Sequence, residues 1–289
     1  MSSSSCNFGG LPEEYTSYKA AKAAILPIPY EGTVSYGGGT ALGPDAIIKA
    51  SMNMELYDEE LHRDTYEIGI HTLAAVKGAS SPSSMIKSIR DSAIKVLRDG
   101  KFLVSLGGEH SITKGVLDAF IEVRGNDFGV LQLDAHADLR DSYDDTPHSH
   151  ACIMKRVHEL GLTYSQVGIR SLSREEADFI SEGGQKIYFA HKITGKTDWM
   201  EQVMSDLPDK VYVTIDIDVL DPSIMPSTGT PEPGGLDWYT TTHFLRKVSE
   251  TKEIIGFDVV ELAPIKDLPA PDFLTAKLVY KLLGYAIEA

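Results

Sequence analysis

Apolar residues along this chain fall in short continuous runs bounded by Gly, Pro or Asp, with little polar–apolar alternation. Such runs mark strands buried on both faces, as in a parallel sheet. They predict strands at 23–29, 102–106, 128–133, 164–169, 186–190, 211–215 and 253–259. The stretches between them have a helical period. In Pro82–Arg98, Met85, Ile86, Ile89, Ala93 and Val96 share one face, and Asp99-Gly100 closes the helix. Gly43-Pro44-Asp45 places proline at the first turn of a helix running to about Met52. Further helices are expected at 111–123, 152–160, 175–181, 196–206, 240–249 and 270–287. Strand and helix alternate without an internal repeat or a linker, with about eight strands in all. This is the signature of one three-layer α/β domain with a mainly parallel sheet; a closed barrel needs the same strand count, so closure rests on other grounds. The Ser- and Gly-rich start, residues 1–12, is expected to be a flexible leader, with one domain over 13–289.

Composition narrows the class. The chain has 289 residues, 42% hydrophobic and 24% charged, as in an ordinary globular protein. A formal charge of −15 argues against nucleic acid, which needs a basic footprint, and favours a cationic partner. Two cysteines, Cys6 and Cys152, make no disulfide framework. Neither a signal peptide nor an 18-residue apolar run is present, so a cytoplasmic protein without a membrane partner is expected.

Three strand ends carry the chemistry. Leu131-Gln-Leu-Asp134-Ala-His136-Ala-Asp138 closes with potential metal ligands at every second residue. In extended backbone these would project to one side, just past a strand terminus, where open α/β sheets bind ligands. Val211-Tyr-Val-Thr-Ile-Asp216-Ile-Asp218 ends in two carboxylates at the same spacing. Phe102-Leu-Val-Ser-Leu-Gly-Gly-Glu-His110 delivers a histidine from a Gly-Gly turn. A lone Asp-x-Asp after a strand is more often a turn or cap, but three such ends in one chain favour a metal centre. Carboxylate, imidazole and no thiolate suit Mn²⁺ better than structural zinc. The glycines of 32–43 fit no phosphate-binding pattern and are read as a site rim.

With these blocks the chain resembles the ureohydrolase family, the arginase–agmatinase enzymes. Gly107-Gly-Glu-His110, Asp134-Ala-His-Ala-Asp138, Ser149-His150-Ala and Asp216-Ile-Asp-Val-Leu-Asp-Pro222 stand in family order. Gly229-Thr-Pro-Glu-Pro-Gly-Gly235 and Asp258-Val-Val-Glu261-Leu-Ala-Pro264 complete the set. The resemblance covers roughly residues 23 to 285. It implies an arginase-like three-layer α/β/α fold with an open, mainly parallel eight-stranded sheet, two Mn²⁺ per subunit, a small cationic guanidino substrate, and homotrimers or homohexamers. His110, Asp134, His136, Asp138, Asp216 and Asp218 would be the metal ligands. Glu261 would hold the guanidinium, Asp138 would move a proton, and His150 would exchange protons with solvent, with His148 as the competing histidine. Glu109 is expected to anchor the turn. Arg170 is expected in a salt bridge. His62, His71, His158, His191 and His243 are assigned no role.

The departures choose among substrates. Arginases carry Asn where this chain has Arg140, and Asp where Gly168-Ile-Arg-Ser171 supplies Ser. Those two contacts serve the α-carboxylate and α-amino group, so arginine is disfavoured. Agmatine, cleaved to putrescine and urea, is the preferred substrate on these motifs. N1-aminopropylagmatine, giving spermidine and urea, stands second. Guanidinobutyrate, whose carboxylate Arg140 would suit, stands third. A non-catalytic polyamine-binding regulator is disfavoured by the full ligand set. The loops Tyr30–Gly43 and Tyr143–His148 are expected to shape the tail pocket.

Overall fold

The structure is a computed structural model and describes residues 6–288. Its strands are β1 (Ala23–Ile28), β2 (Tyr57–Asp58), β3 (Arg63–Asp64), β4 (Ile70–Thr72), β5 (Phe102–Gly107), β6 (Gly129–Leu133), β7 (Thr163–Ile169), β8 (Lys186–Phe189), β9 (Lys210–Asp216) and β10 (Glu253–Val260). Strands β2 and β3 form a small antiparallel hairpin. The others make one eight-stranded sheet in the order β4-β1-β5-β10-β9-β6-β7-β8, parallel at every pairing. All seven strands read from the sequence are present. The eighth, β4, is a three-residue edge strand too short to leave a periodic signal.

The three layers follow from the burial of both sheet faces. One core gathers Ile47, Trp199, Phe244 and Leu282 from the helices Gly43–Ser51, Asp198–Asp206, Trp238–Thr251 and Ala270–Ala286. The opposite core gathers Ile89, Phe120 and Met154 from Pro82–Arg98, Thr113–Arg124 and Ile153–Glu159. Central strands are therefore apolar at almost every position, as expected for a sheet covered on both sides. Between β5 and β6 the chain skips two sheet positions, which β10 and β9 later fill. The carboxyl ends of β5, β10, β9 and β6 thus lie side by side.

Two expectations need correction. The leader does not reach residue 12: Phe8 and Leu11 are buried in the first core, and the Phe8 amide donates to Thr72 Oγ1 at 2.9 Å. Their apolar side chains tie this stretch to the sheet edge, while residues 1–5 lie outside the described residues. Nor is Asp134–Asp138 a continuous strand: His136 keeps a single parallel bridge to Ser171. Strand β6 stops at Leu133, and Asp138 has a left-handed φ of 51°. Among the described residues, no helix is long and apolar enough to cross a membrane.

Candidate metal centre

The ligand residues converge by turns, not by strand alternation. Asp216 ends β9, and its Oδ1 accepts the Asp218 amide at 2.9 Å, curling the chain into a 3-10 turn. Asp218 Oδ1 accepts the Ala135 amide at 2.9 Å, and Asp134 Oδ1 accepts the His136 amide at 2.5 Å. Backbone amides thus hold one oxygen of each carboxylate and fix the direction of the other. His110 follows the turn after β5. There Gly108 passes so close to Tyr30 that an added Cβ would lie 2.0 Å from its carbonyl oxygen, so only glycine fits.

Two sets result. His110, Asp134 and Asp216 can hold one cation, and Asp134, His136 and Asp218 a second, with Asp134 common to both. His110 Nδ1 lies 3.1 Å from Asp134 Oδ2, 3.2 Å from Asp138 Oδ2 and 3.6 Å from Asp216 Oδ2. His136 Nδ1 lies 2.9 Å from Asp218 Oδ2. Five of the six expected ligands make up these two sets, and Asp138 lies beside His110 at the same centre.

A metal fits this cluster on an observation internal to it. Thr214 Oγ1 donates its hydrogen to Asp258 Oδ1 at 2.6 Å, so it can only accept from His110 Nε2, which stands 2.8 Å away. That fixes Nε2 as a hydrogen-bearing nitrogen and turns Nδ1 to the carboxylates, where it is buried without a hydrogen-bond partner. An imidazole held by its far nitrogen, with its near nitrogen facing oxygens, is the arrangement of a metal ligand.

Electrostatics agree. Burial opposes charging His110, yet Asp134, Asp138 and Asp216 outweigh it and raise its pKa well above the usual range. Burial lowers His136 too, but Asp218 and Asp134 bring it up to about 12. Burial, with the repulsion of Asp134, pushes Asp138 up to about 7. Burial, then Asp218 and Asp134, pushes Asp216 well up. The cluster holds more negative charge than its buried surroundings tolerate, and divalent cations relieve that.

The centre floors a cavity of about 220 Å³. Glu261, just past β10 with φ 66°, projects into it, and its Oε1 accepts the His110 amide at 2.7 Å. Burial, aided by Glu109, pushes the Glu261 carboxyl up to about 8. His150 lines the cavity and His148 does not. Burial, then His110 and His136, lowers His150 to about 4. Val34 to Gly37 and Tyr143 form the cavity wall, from the two loops expected there. Arg140 is also at the wall, over the Tyr143 ring at 5.2 Å and 4.0 Å from Glu176 Oε2.

Several supporting residues escaped the sequence reading. Ser105, Asp258, Thr214, Gln132 and Gln166 pair in register across β5, β10, β9, β6 and β7, a polar row wholly buried in the sheet. Gln132 Nε2 donates to Asp134 Oδ2 at 2.7 Å. The available signal was a polar residue inside each apolar run, as in Val-Leu-Gln-Leu. Arg170 needs correction: it makes no salt bridge among the described residues. Its guanidinium donates to carbonyls, chiefly Asp218 at 2.6 Å and Glu232 at 2.8 Å, tying the Pro-rich loop to the Asp218 turn. Glu109 anchors its turn as expected, accepting the Gly32 and Thr33 amides, both at 2.6 Å.

Comparison with known proteins accords with this site. The arginase family profile matches residues 21–284. An N(1)-aminopropylagmatine ureohydrolase of Synechocystis sp. is 41% identical, over 94% of this chain and 92% of that protein. An agmatinase of Pyrococcus horikoshii is 34% identical, over 92% of each. Among solved structures, the agmatine ureohydrolase of Thermoplasma volcanium superposes with a TM-score of 0.85 at 31% identity, over 94% of this chain and 92% of that one.

Proposed function

Since the chain belongs to the arginase family of ureohydrolases, hydrolases of guanidino groups that depend on two metal ions, we propose that it converts N1-aminopropylagmatine and water to spermidine and urea. The observation that carries this substrate is the greater identity to the Synechocystis protein of that name, 41%, than to the Pyrococcus horikoshii agmatinase, 34%. Agmatine, put first by the motifs alone, becomes the second reading. The reason is chemical. Both compounds present the same guanidinobutyl end, so motifs around the guanidinium do not separate them. Only the tail differs.

In this reading His110, Asp134, Asp138 and Asp216 would hold one Mn²⁺, and His136 and Asp218, with Asp134, would hold the other. The oxygen and imidazole donors suit that ion. When bound, two divalent cations supply the Lewis acidity that makes hydroxide available near pH 7, where free water has a pKa of ~16. Glu261, with one oxygen held by the His110 amide, accepts guanidinium N–H groups on the other and orients the electrophilic carbon. Attack forms the C–O bond. Asp138 carries the released proton to the nitrogen that leaves as the C–N bond breaks, and His150 exchanges protons with solvent.

The experiment is urea release by Mn²⁺-loaded protein with aminopropylagmatine, agmatine, guanidinobutyrate and arginine side by side. The expected result is the highest kcat/KM with aminopropylagmatine. A preference for agmatine installs the second reading, and a preference for arginine overturns both.

A further inference from the structure

Glu109 is fully buried, and its carboxylate is surrounded by donors. Oε2 accepts the Gly32 and Thr33 amides, both at 2.6 Å. Oε1 accepts the hydroxyls of Ser111 at 2.5 Å and Thr33 at 2.7 Å. The Thr33 hydroxyl has one hydrogen, and it is committed to this carboxylate. Any other polar group at Thr33 Oγ1 must therefore donate to it. Two groups stand there, both from His150: its backbone amide at 3.1 Å and its ring Nδ1 at 3.2 Å. Ser149 Oγ lies 3.3 Å from the same ring nitrogen and is free to play either part, so it sets no preference. Thr33 does.

We propose that Thr33 is a positioning residue for His150. Its hydroxyl, locked as a donor to Glu109, accepts the Nδ1 hydrogen and leaves Nε2 as the nitrogen that takes and gives protons toward the cavity. This rests on the role given above to His150. The logic matches that at His110, where Thr214 is locked by Asp258 and can only accept. Here the selected nitrogen is the opposite one. The same loop that walls the cavity through Val34 to Gly37 thus also sets the tautomer of the histidine across from it, 117 residues away in sequence. A second contact supports the ring's pose: Tyr143 meets it edge-on at 5.8 Å.

The test compares Thr33→Val, which keeps the shape and removes the hydroxyl, with Thr33→Ser, which keeps the hydroxyl. Thr33→Val also goes into a His150→Asn background. All are assayed on the Mn²⁺-loaded enzyme with the guanidino compound the wild type turns over best, and metal content is measured alongside. Thr33→Val is expected to lower kcat on the order of 10- to 100-fold, the scale found when a metal-ligating histidine loses the partner that orients it. KM and metal content stay near wild type, Thr33→Ser recovers most of the rate, and Thr33→Val adds nothing to His150→Asn. Normal kcat in Thr33→Val, metal loss in step with activity, or multiplying effects in the double variant each overturn the proposal. Imidazole ¹⁵N shifts of His150 in Mg²⁺-loaded protein need no turnover. An Nδ1–H ring in the wild type that loses this preference in Thr33→Val supports the assignment, and an Nε2–H ring in the wild type overturns it. A wild type that releases no urea from any of the four compounds counts against the proposed function alone, because the ¹⁵N result still decides the role of Thr33.

Discussion

At the scale of single residues, Asp138 and Glu261 are the two carboxylates given reacting roles, and both have left-handed backbone, φ 51° and 66°. Such conformations cost about 1–3 kcal/mol where the side chain is not glycine, and they persist only when the surroundings enforce them. Here they are enforced. The Glu261 amide donates to the Gly108 carbonyl at 2.7 Å, and the Asp138 carbonyl accepts the Met154 and Lys155 amides at 2.9 and 3.1 Å. The bends turn each side chain away from its strand direction and into the cavity. Glu261→Gln keeps the shape and the His110 contact while removing the charge that holds a guanidinium. Its expected kcat is lower by about 10²- to 10³-fold, the scale for losing a preorganised electrostatic contact. Elemental analysis should find its metal content unchanged. Normal turnover would move the guanidinium contact to another group.

At the scale of elements, the terminal helix Ala270–Ala286 is locked to the β2–β3 hairpin by charge. Lys281, almost wholly buried, reaches Asp58 at 3.2 Å and Glu60 at 3.3 Å. Burial opposes ionisation of Asp58, but the Leu61 amide and Lys281 outweigh it and hold its pKa below the usual 3.8. Burial opposes the charge on Lys281 as well, and Asp58 and Glu60 outweigh it, raising its pKa above 10.5. The signs define a window. The Asp58 contribution to stability is complete above pH 3.8 and is lost as pH falls through its lowered pKa. The Lys281 contribution is complete below pH 10.5 and is lost as pH rises through its raised pKa. Lys281→Met leaves Asp58 buried and unpaired, which should cost about 3–5 kcal/mol in urea unfolding. Adding Asp58→Asn should recover part of that loss. Additive losses in the double variant would mean the two groups do not act as a pair.

At the scale of the whole molecule, the metal centre joins the ends of β5, β6 and β9, three strands distant in sequence. Filling it should therefore stabilise the entire sheet. Mn²⁺ at 100 times its Kd adds about 2.7 kcal/mol per site, and thermal unfolding with and without chelator measures it. Asp134 is common to both ligand sets, so Asp134→Asn should lose most of that increment along with bound metal. An unchanged increment and unchanged metal content would remove Asp134 from the ligand set.

The sequence by itself determined the local quantities. Apolar runs set the strands because a residue's fit to a sheet buried on both faces depends on its own side chain. Helical periods set the intervening helices for the same reason, and His110, Asp134, His136, Asp138, Asp216 and Asp218 stood out as candidate ligands by their side-chain types. The preference between agmatine and its aminopropyl derivative was not legible there, because the motifs surround the end that both compounds share. Tertiary structure alone decided everything that needs two distant segments in contact. It brought β10 and β9 into the gap between β5 and β6, buried Phe8 against the sheet, and stacked Ser105, Asp258, Thr214, Gln132 and Gln166 into one polar row. It turned Arg170 from an expected ion pair into a clamp on carbonyls, and set Thr33 against His150. A hydrogen bond has a direction and a length, and whether one forms depends on where the fold carries its two ends.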